Sequence, residues 1–423
     1  MPPFDPLTVP TDLDKVGSFL SSPTPTANWL ASFQGLTLQT ALQPIFSISH
    51  KRIVGYEALV RALDNDQSPV LPMHLFDLPH DQTENLLLDR LCRYLHIRNF
   101  SDLPDNINWL FLNVSPKTVA NGTHHDAFFG QLLELTGFPP HRVVVEIVEQ
   151  PTDDAEQLRR TVEYYRSLGC LTAIDDFGAG HSNFERIWNL RPDIVKLDRQ
   201  MLVRATEDKR TRQILKGIAT LLHQSGCLVL LEGVETHEQA MIAVDAGVDF
   251  VQGFYFCRPT TELDSLARGE IDFDNLLNDY KHLQQDVTDP AQGIANFFSV
   301  LFDDVVAKLQ RGEPFIDPCR CVVEHHTVSR CYLIDENGVQ LHDSLSADSR
   351  HDNQDLRFRP LEDTYQADWY RQHYLRRALH NPAKIQVTRP YLSVTGAHMC
   401  ITLSLSFNHL GKTRVLCCDI LAD

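Results

Sequence analysis

Apolar, strand-like runs recur along this chain, and each carries a polar group of metal-binding or catalytic type at or near its C-terminal end. Glu57 lies in IVGYEALVR, Asn113 in WLFLNVS, Glu146 in RVVVEIVE, and Asp175 and Asp176 in LTAIDDF. Lys196 lies in DIVKLD, Glu232 in LVLLEGVE and Gln252 in DFVQGFYF. Between these runs the pattern turns helical, as in AEQLRRTVEYYRSLG, where apolar residues recur at helical spacing up to a Gly stop at Gly169. Such alternation means parallel strands joined by right-handed helical crossovers. A (β/α) barrel gathers its strand ends on one face, so residues far apart in the chain become neighbours. A single carboxylate is most often a solvated surface residue. A whole set on successive strand ends predicts one active site. QPIFSIS, a turn at His50–Lys51 and IVGYEALVR read as a hairpin, which gives the expected (β/α)8 TIM-like barrel one antiparallel strand.

At 423 residues, two domains are the natural reading. Residues 1–30 are rich in Pro, Ser and Thr and read as a mobile or docking arm. The barrel occupies 31–262, a mainly helical segment 263–312, and a smaller α+β domain 313–423. Within the barrel one long helix is expected from about Arg204 to Gln224. In the last segment CVVEHH, RCYLIDENGVQLHD, KIQVTRPYL, HMCITLSLSF and TRVLCCDILAD read as strands, with ADWYRQHYLRRAL as a helix among them.

The formal net charge of −18 argues against a nucleic-acid surface. The N-terminus has neither the basic nor the apolar region of a signal peptide, and no apolar run reaches the ~20 residues of a membrane span. A soluble cytoplasmic protein, bound to neither nucleic acid nor membrane, is expected. Ten cysteines in such a chain are expected to be reduced and mostly buried. Cys319, Cys321 and Cys331 with His325 and His326 lack the Cys-x₂₋₄-Cys spacing of a zinc site. Adjacent Cys417 and Cys418 should point to opposite faces of a strand.

YEALVR at 56–61, NVS at 113–115, EIVE at 146–149, DDFGAG at 175–180, KLD at 196–198, EGVE at 232–235 and QGFYF at 252–256 occur in that order. The ordered set resembles the EAL-domain phosphodiesterases, enzymes that linearise cyclic di-GMP, over approximately residues 30–262. The C-terminal β-rich region resembles PAS-like or Cache-like sensor domains, which implies regulation by an unknown small-molecule or protein signal.

The resemblance implies a phosphodiester hydrolysis assisted by two divalent ions, Mg²⁺ or Mn²⁺, about 3.5–4 Å apart, with Ca²⁺ inhibitory. Glu57, Asn113, Glu146 and Asp175 would hold one ion, and Asp175 and Asp176 the other, with Glu232 ligating or orienting at the same centre. These are the oxygen ligands that hard cations take. Lys196 reads either as a general base or, preferred here, as a cation that orients the attacking water. Gln252 suits a hydrogen bond to water or substrate. Arg61, on the face of Glu57 and Leu59, fits a phosphate clamp. Leu59 and Gln43 join the expected substrate contacts, as does Asp198, which on the face of Lys196 could also hold that side chain. Glu235 is expected among the catalytic groups, and Glu149 is expected to anchor the DDFGAG loop through Ser182. His181 and Ala179 depart from the family's usual Tyr and Thr, which touches the loop's tuning and leaves the ligand set whole.

A homodimer is expected, adjusted through the stripe Ile294, Phe297, Phe298, Val300, Leu301, Val305 and Leu309; packing of that stripe within the C-terminal domain is the plainer reading. Two other functions compete: a degenerate receptor that binds cyclic di-GMP without cleaving it, and a barrel aldolase using Lys196 as a Schiff-base nucleophile.

Overall fold

The chain leaves strand β1 (Leu36–Ser47), turns at residues 48–51, and returns along β2 (Arg52–Leu63), paired antiparallel with Glu57 opposite Gln43. This is a computed structural model, and it describes residues 13–22, 28–114, 126–147, 155–179, 184–263, 273–286, 290–346, 364–393 and 399–422. Strands β3 (Trp109–Val114), β4 (Val143–Ile147), β5 (Leu171–Phe177), β6 (Ile194–Leu197), β7 (Leu228–Leu231) and β8 (Phe250–Val251) follow β2 in parallel order. β8 then pairs antiparallel with β1 and closes the ring. The result is an eight-stranded mixed barrel whose one reversed strand is β1, as the hairpin pattern predicted.

From β2 onward helices return the chain from each strand to the next, and their apolar stripes (Leu95, Phe100, Leu132, Val162, Leu222 and Ala243 among them) are buried in one core with the outward strand residues. The single helix expected over 204–224 is two helices, Arg199–Glu207 and Lys209–Gln224. Asp208 ends the first in extended geometry and caps the second by accepting from the N–H groups of Arg210 and Thr211, so a side chain that competes for backbone donors breaks the helix there. Residues 13–22 are a docked segment. Val16 is fully buried in the barrel's outer core, and Leu20–Ser21 pairs with Leu30–Ala31.

The chain divides into two compact units, residues 1–282 and 283–423. Phe273 and Leu276 of the helix Phe273–Asp286 belong to the barrel unit's core, where Phe273 stacks on Phe256 with ring centroids 5.6 Å apart.

The second unit is built on a six-stranded antiparallel sheet: β9 (Val328–Asp335), β10 (Leu345–Ser346), β11 (Gln386–Val387), β12 (Tyr391–Leu392), β13 (Met399–His409) and β14 (Lys412–Leu421). Its order is β10-β9-β14-β13-β11, with β12 also on β13. Strand alternation sends Cys331, Leu333, Leu416 and Cys418 into a core with the helices Pro290–Gln310 and Ile316–Val323, and Tyr332, Ile334, Val415 and Cys417 into another with the helix His373–His380. Cys417 and Cys418 therefore face opposite ways, as expected.

Two readings of this region change. The strand expected at CVVEHH is the end of the helix Ile316–Val323, because Phe315, Cys319, Val322 and Val323 bury one face at helical spacing; Cys319 is buried and Cys321 exposed. The helix expected across ADWYRQHYLRRAL is confined to His373–His380, since Trp369 N donates to Gly338 O at 2.8 Å and Asp368 bridges Val339, tying the preceding residues to the turn after β9. Of the stripe on Pro290–Gln310, Phe298, Val305 and Leu309 pack with Phe302 inside the unit, while Phe297 and Val300 are exposed.

Candidate active site at the barrel mouth

The period of two along each strand builds the site. Ile45, Phe111, Val144, Ala173, Ile194, Leu230 and Phe250 point inward and fill the barrel with apolar side chains. Two residues further along each parallel strand or just past its end stand Asn113, Glu146, Asp175, Lys196, Glu232 and Gln252; on the reversed β1 the partner of Ile45 is Gln43. Each polar group thus sits one layer above an apolar one. Glycine is required at position 55, where a Cβ would lie 2.8 Å from the Phe111 ring.

Lys196 is the hub. Its Nζ lies 2.5 Å from Glu232 Oε1, 2.6 Å from Glu146 Oε1, 3.1 Å from Asp175 Oδ1 and 3.8 Å from Glu57 Oε1. Burial alone would lower the ammonium's pKa, but the carboxylates of Asp175, Glu146, Glu232 and Glu57 overcome it and hold the pKa well above the ordinary value. The acids are pushed the other way. Burial raises Glu146 well above the usual carboxylate range and raises Glu232 to about 8, in each case against the pull of Lys196. Burial, with the neighbouring Asp175, raises Asp176 to about 6. One ammonium is too little positive charge for this set.

The donors present fit divalent cations. Glu146 Oε2 and Gln252 Oε1 are buried without a hydrogen-bond partner, and Asp175, Asp176 and Glu232 each offer an oxygen within 4.8 Å of the others'. All the candidate ligands are oxygens, the donor type of Mg²⁺, Mn²⁺ and Ca²⁺.

Adjacent residues of a regular strand face opposite ways, yet Asp175 and Asp176 join one cluster. The register of β5 shifts between Ile174 and Phe177, Asp176 takes a left-handed φ of 54°, and its N–H donates to Asp175 Oδ1 at 3.0 Å. A bulge re-aims a side chain in this way. No periodicity announces this bulge; two acids before a Gly-rich loop are the available signal.

The amides orient Glu57. Asn113 Nδ2 donates to Glu57 Oε1 at 3.2 Å and Gln252 Nε2 to Glu57 Oε2 at 2.7 Å. Gln252 also reaches Gln43 Oε1 at 3.2 Å, and Gln43 in turn donates to Cys257 O at 3.2 Å. Gln43 thereby acts as a support for Gln252, a link that no spacing in the sequence reveals. Arg61 lies on β2 beyond Glu57, half-buried, with Nη1 donating to Val60 O at 3.0 Å; burial lowers its pKa and Glu57 opposes the shift. Leu59, between them on the same face by alternation, is partly exposed.

Asp198 is placed differently from the expectation that it would hold Lys196. β6 ends at Leu197, so alternation stops there, and Asp198 instead caps the helix Arg199–Glu207 by accepting from Gln200 N at 2.9 Å. Glu235 forms an exposed ion pair with Arg199 at 2.8 Å. Glu149, Ser182 and His181 lie outside the described residues, as does Ser115.

Comparison with known proteins follows the same lines. Residues 27–259 match the family model described as EAL domain. The chain is 30% identical over 222 residues to the EAL-domain containing protein YkuI of Bacillus subtilis, covering 52% of this chain and 54% of that protein. It is 29% identical over 231 residues to the cyclic di-GMP phosphodiesterase RocR of Pseudomonas aeruginosa (52% and 57%) and 28% identical over 235 residues to the probable cyclic di-GMP phosphodiesterase PdeN of Escherichia coli (54% and 44%). The chain thus spans about half the length of these curated relatives. Among solved structures, Bacillus subtilis YkuI, in complex with substrate c-di-GMP and calcium, superposes with a TM-score of 0.76 at 23% identity, over 91% of this chain and 96% of that one, which is a likeness of fold. Since the family match takes in more than half of the residues, this chain belongs to the EAL domain family.

Proposed function

We propose that this chain hydrolyses cyclic di-GMP to linear 5′-pGpG with the help of Mg²⁺ or Mn²⁺. The carrying observation is the buried Lys196 ringed by Glu57, Glu146, Asp175 and Glu232, with more acid than its one charge can balance. The relatives named as cyclic di-GMP phosphodiesterases support the substrate.

Glu57, Asn113, Glu146 and Asp175 are the residues to hold one cation, and Asp175 and Asp176 a second, with Glu232 beside both. When bound, the cations would neutralise the phosphodiester and acidify the attacking water. Lys196, kept protonated by its neighbours, donates hydrogen bonds that orient this water and steadies the charge that develops on phosphorus oxygens. Gln252 and Asn113 fix the Glu57 carboxylate. Arg61 offers its free donors to a phosphate oxygen. Water gives up a proton to solvent as its oxygen bonds to phosphorus, the P–O3′ bond breaks, the 3′ oxygen leaves and takes up a proton from solvent, and the phosphate stays on the 5′ oxygen of the linear product.

The site favours turnover over a receptor role, because its ligand set and Lys196 are all present. It also disfavours an aldolase, since a Schiff base starts from a neutral amine and these carboxylates hold Lys196 as an ammonium. For the whole chain we propose a homodimer in which the second unit receives a small-molecule or protein signal. The test of the activity is incubation of the purified chain with cyclic di-GMP and Mg²⁺ or Mn²⁺, resolving pGpG from GMP. Product formation that persists in excess EDTA, or no product with either metal, overturns the reading.

A further inference from the structure

One face of the second unit's sheet changes from apolar to polar as it nears the turn between β13 and β14. On that face Leu333, Leu405 and Leu416 are buried in the core shared with the helices Pro290–Gln310 and Ile316–Val323. Alternation carries the face on to Phe407 and His409 of β13 and to Arg414 of β14, which pairs with Phe407. The first helix ends at Gln310, whose Nε2 donates to Asn408 O at 2.9 Å, and the second starts at Ile316. Between these helix ends and the hairpin lies a cavity of about 560 Å³. It opens on the opposite face of the sheet from the helix His373–His380.

The floor of this cavity is apolar. Leu309, Phe315, Leu333 and Phe407 line it and are buried. Two polar side chains of the lining have unused capacity. His409 Nδ1 is buried with no hydrogen-bond partner among the described residues. Arg414 gives Nη1 to Glu336 Oε2 at 3.2 Å and to Thr413 O at 3.5 Å, while its Nε and Nη2 have no acceptor among the described residues. Unmatched donors at the edge of an apolar pocket are completed by a ligand that accepts hydrogen bonds. Glu313 and Asp343 also line the cavity, Asp343 exposed and Glu313 partly so. Their charge repels a multiply charged anion and leaves room for a single one beside Arg414.

We propose that this cavity binds a small amphipathic carboxylic acid, its apolar body on the Leu309, Phe315 and Phe407 floor and its carboxylate on Arg414 and His409. The volume suits roughly 10–20 non-hydrogen atoms. This gives a place and a chemical class to the small-molecule signal proposed for the second unit, a reading on which it builds. Binding is measured directly, so its outcome is separate from that of hydrolysis.

The test titrates octanoate into the full chain at neutral pH by calorimetry, beside octylamine and octyl phosphate. Octanoate should bind saturably at one site per chain, and more tightly than either of the others. Arg414→Met, with folding checked by circular dichroism, should weaken octanoate about tenfold or more, since it removes a charged donor and keeps an apolar stem. His409→Phe should weaken it less, and Arg414→Lys should restore part of the loss, which separates a lost charge from a disturbed fold. Regulation by a different signal would leave a chain that changes activity with its second unit present yet takes no octanoate, and that result overturns the site. Octylamine or octyl phosphate binding as tightly as octanoate overturns the ligand class. Wild-type affinity in Arg414→Met overturns the placement of the carboxylate.

Discussion

Lys196 Nζ stands 2.6 Å from Glu146 Oε1, and both side chains are sealed from solvent, at 1% and 0% exposure. Two charges this deep are costly to desolvate, so the pair is weak evidence for stability and better evidence for function. Removing the lysine leaves a buried acid among other acids. The protein can answer in two ways, by protonating Glu146 or by binding a cation more firmly.

Lys196→Ala should therefore lose turnover and keep substrate. We expect kcat to fall by roughly a hundredfold or more, the scale of a lost charge-stabilising donor, while cyclic di-GMP still binds in the presence of Ca²⁺. Turnover assays beside calorimetric titration check this. A kcat near wild type would remove the role assigned to Lys196.

Glu57→Ala and Asp175→Ala should fail by a different route. Each takes an oxygen from the cation set, and Glu57 is also the acceptor of Asn113 and Gln252. Second-site support of this kind commonly changes metal affinity by about 10–100-fold. Mn²⁺ titration followed by activity should show a large rightward shift or no activity at all. Unchanged metal dependence in both variants would take these residues out of the ligand set.

Cation identity should decide the outcome on the same protein. Mg²⁺ or Mn²⁺ should support hydrolysis, excess EDTA should abolish it, and Ca²⁺ should inhibit while leaving substrate bound. Ca²⁺ prefers longer bonds of about 2.3–2.6 Å and looser geometry than Mg²⁺, so the attacking water is misplaced. Ca²⁺ turnover equal to that with Mg²⁺ would contradict this account.

Most of this site was legible because a barrel strand writes its inward face as every second residue. Phe111 and Asn113, Ile194 and Lys196, and Phe250 and Gln252 repeat the same step of apolar plug then polar rim. What the sequence could not carry was irregularity. The bulge that brings Asp176 beside Asp175 depends on a register shift, and the end of β6 at Leu197 makes Asp198 a helix cap rather than a partner of Lys196. The second unit was read less well for a related reason. A short apolar run such as PCRCVV satisfies both strand and helix patterns, and only burial of Phe315, Cys319 and Val322 on one face decides for the helix.

Acid should weaken the barrel unit through His96. This ring is buried, with Nδ1 2.9 Å from Thr40 Oγ1, and burial pushes its pKa down to about 3, with Arg61 adding to the effect. The unfolded chain takes up a proton near pH 6.5, whereas the folded chain resists it until far lower pH. Stability from this group is therefore complete above about pH 6.5 and falls by up to ~1.4 kcal/mol per pH unit as pH drops toward 3. His96→Gln should flatten that slope in denaturant melts between pH 6.5 and 4. An unchanged slope would show that other groups govern the acid response.

The role of the second unit turns on where the chain is cut. An end near Arg258 would strip Phe273 and Leu276 from the barrel core and remove Thr260, whose N–H donates to Leu42 O at 3.1 Å, so loss of activity there would report unfolding. Ending the chain after Asp286 keeps the whole helix that begins at Phe273. Phe298, Phe302, Val305 and Leu309 are already buried within the second unit, which leaves Phe297 and Val300 as the exposed part of the stripe. If the second unit regulates or dimerises the enzyme, the shortened chain should differ from the full one in kcat/KM, in mass by light scattering, or in both. Phe297→Glu with Val300→Glu in the full chain should then reproduce the change in mass, since two buried charges oppose association. Equal kcat/KM and equal mass in the shortened and full chains would assign that unit neither role under those conditions.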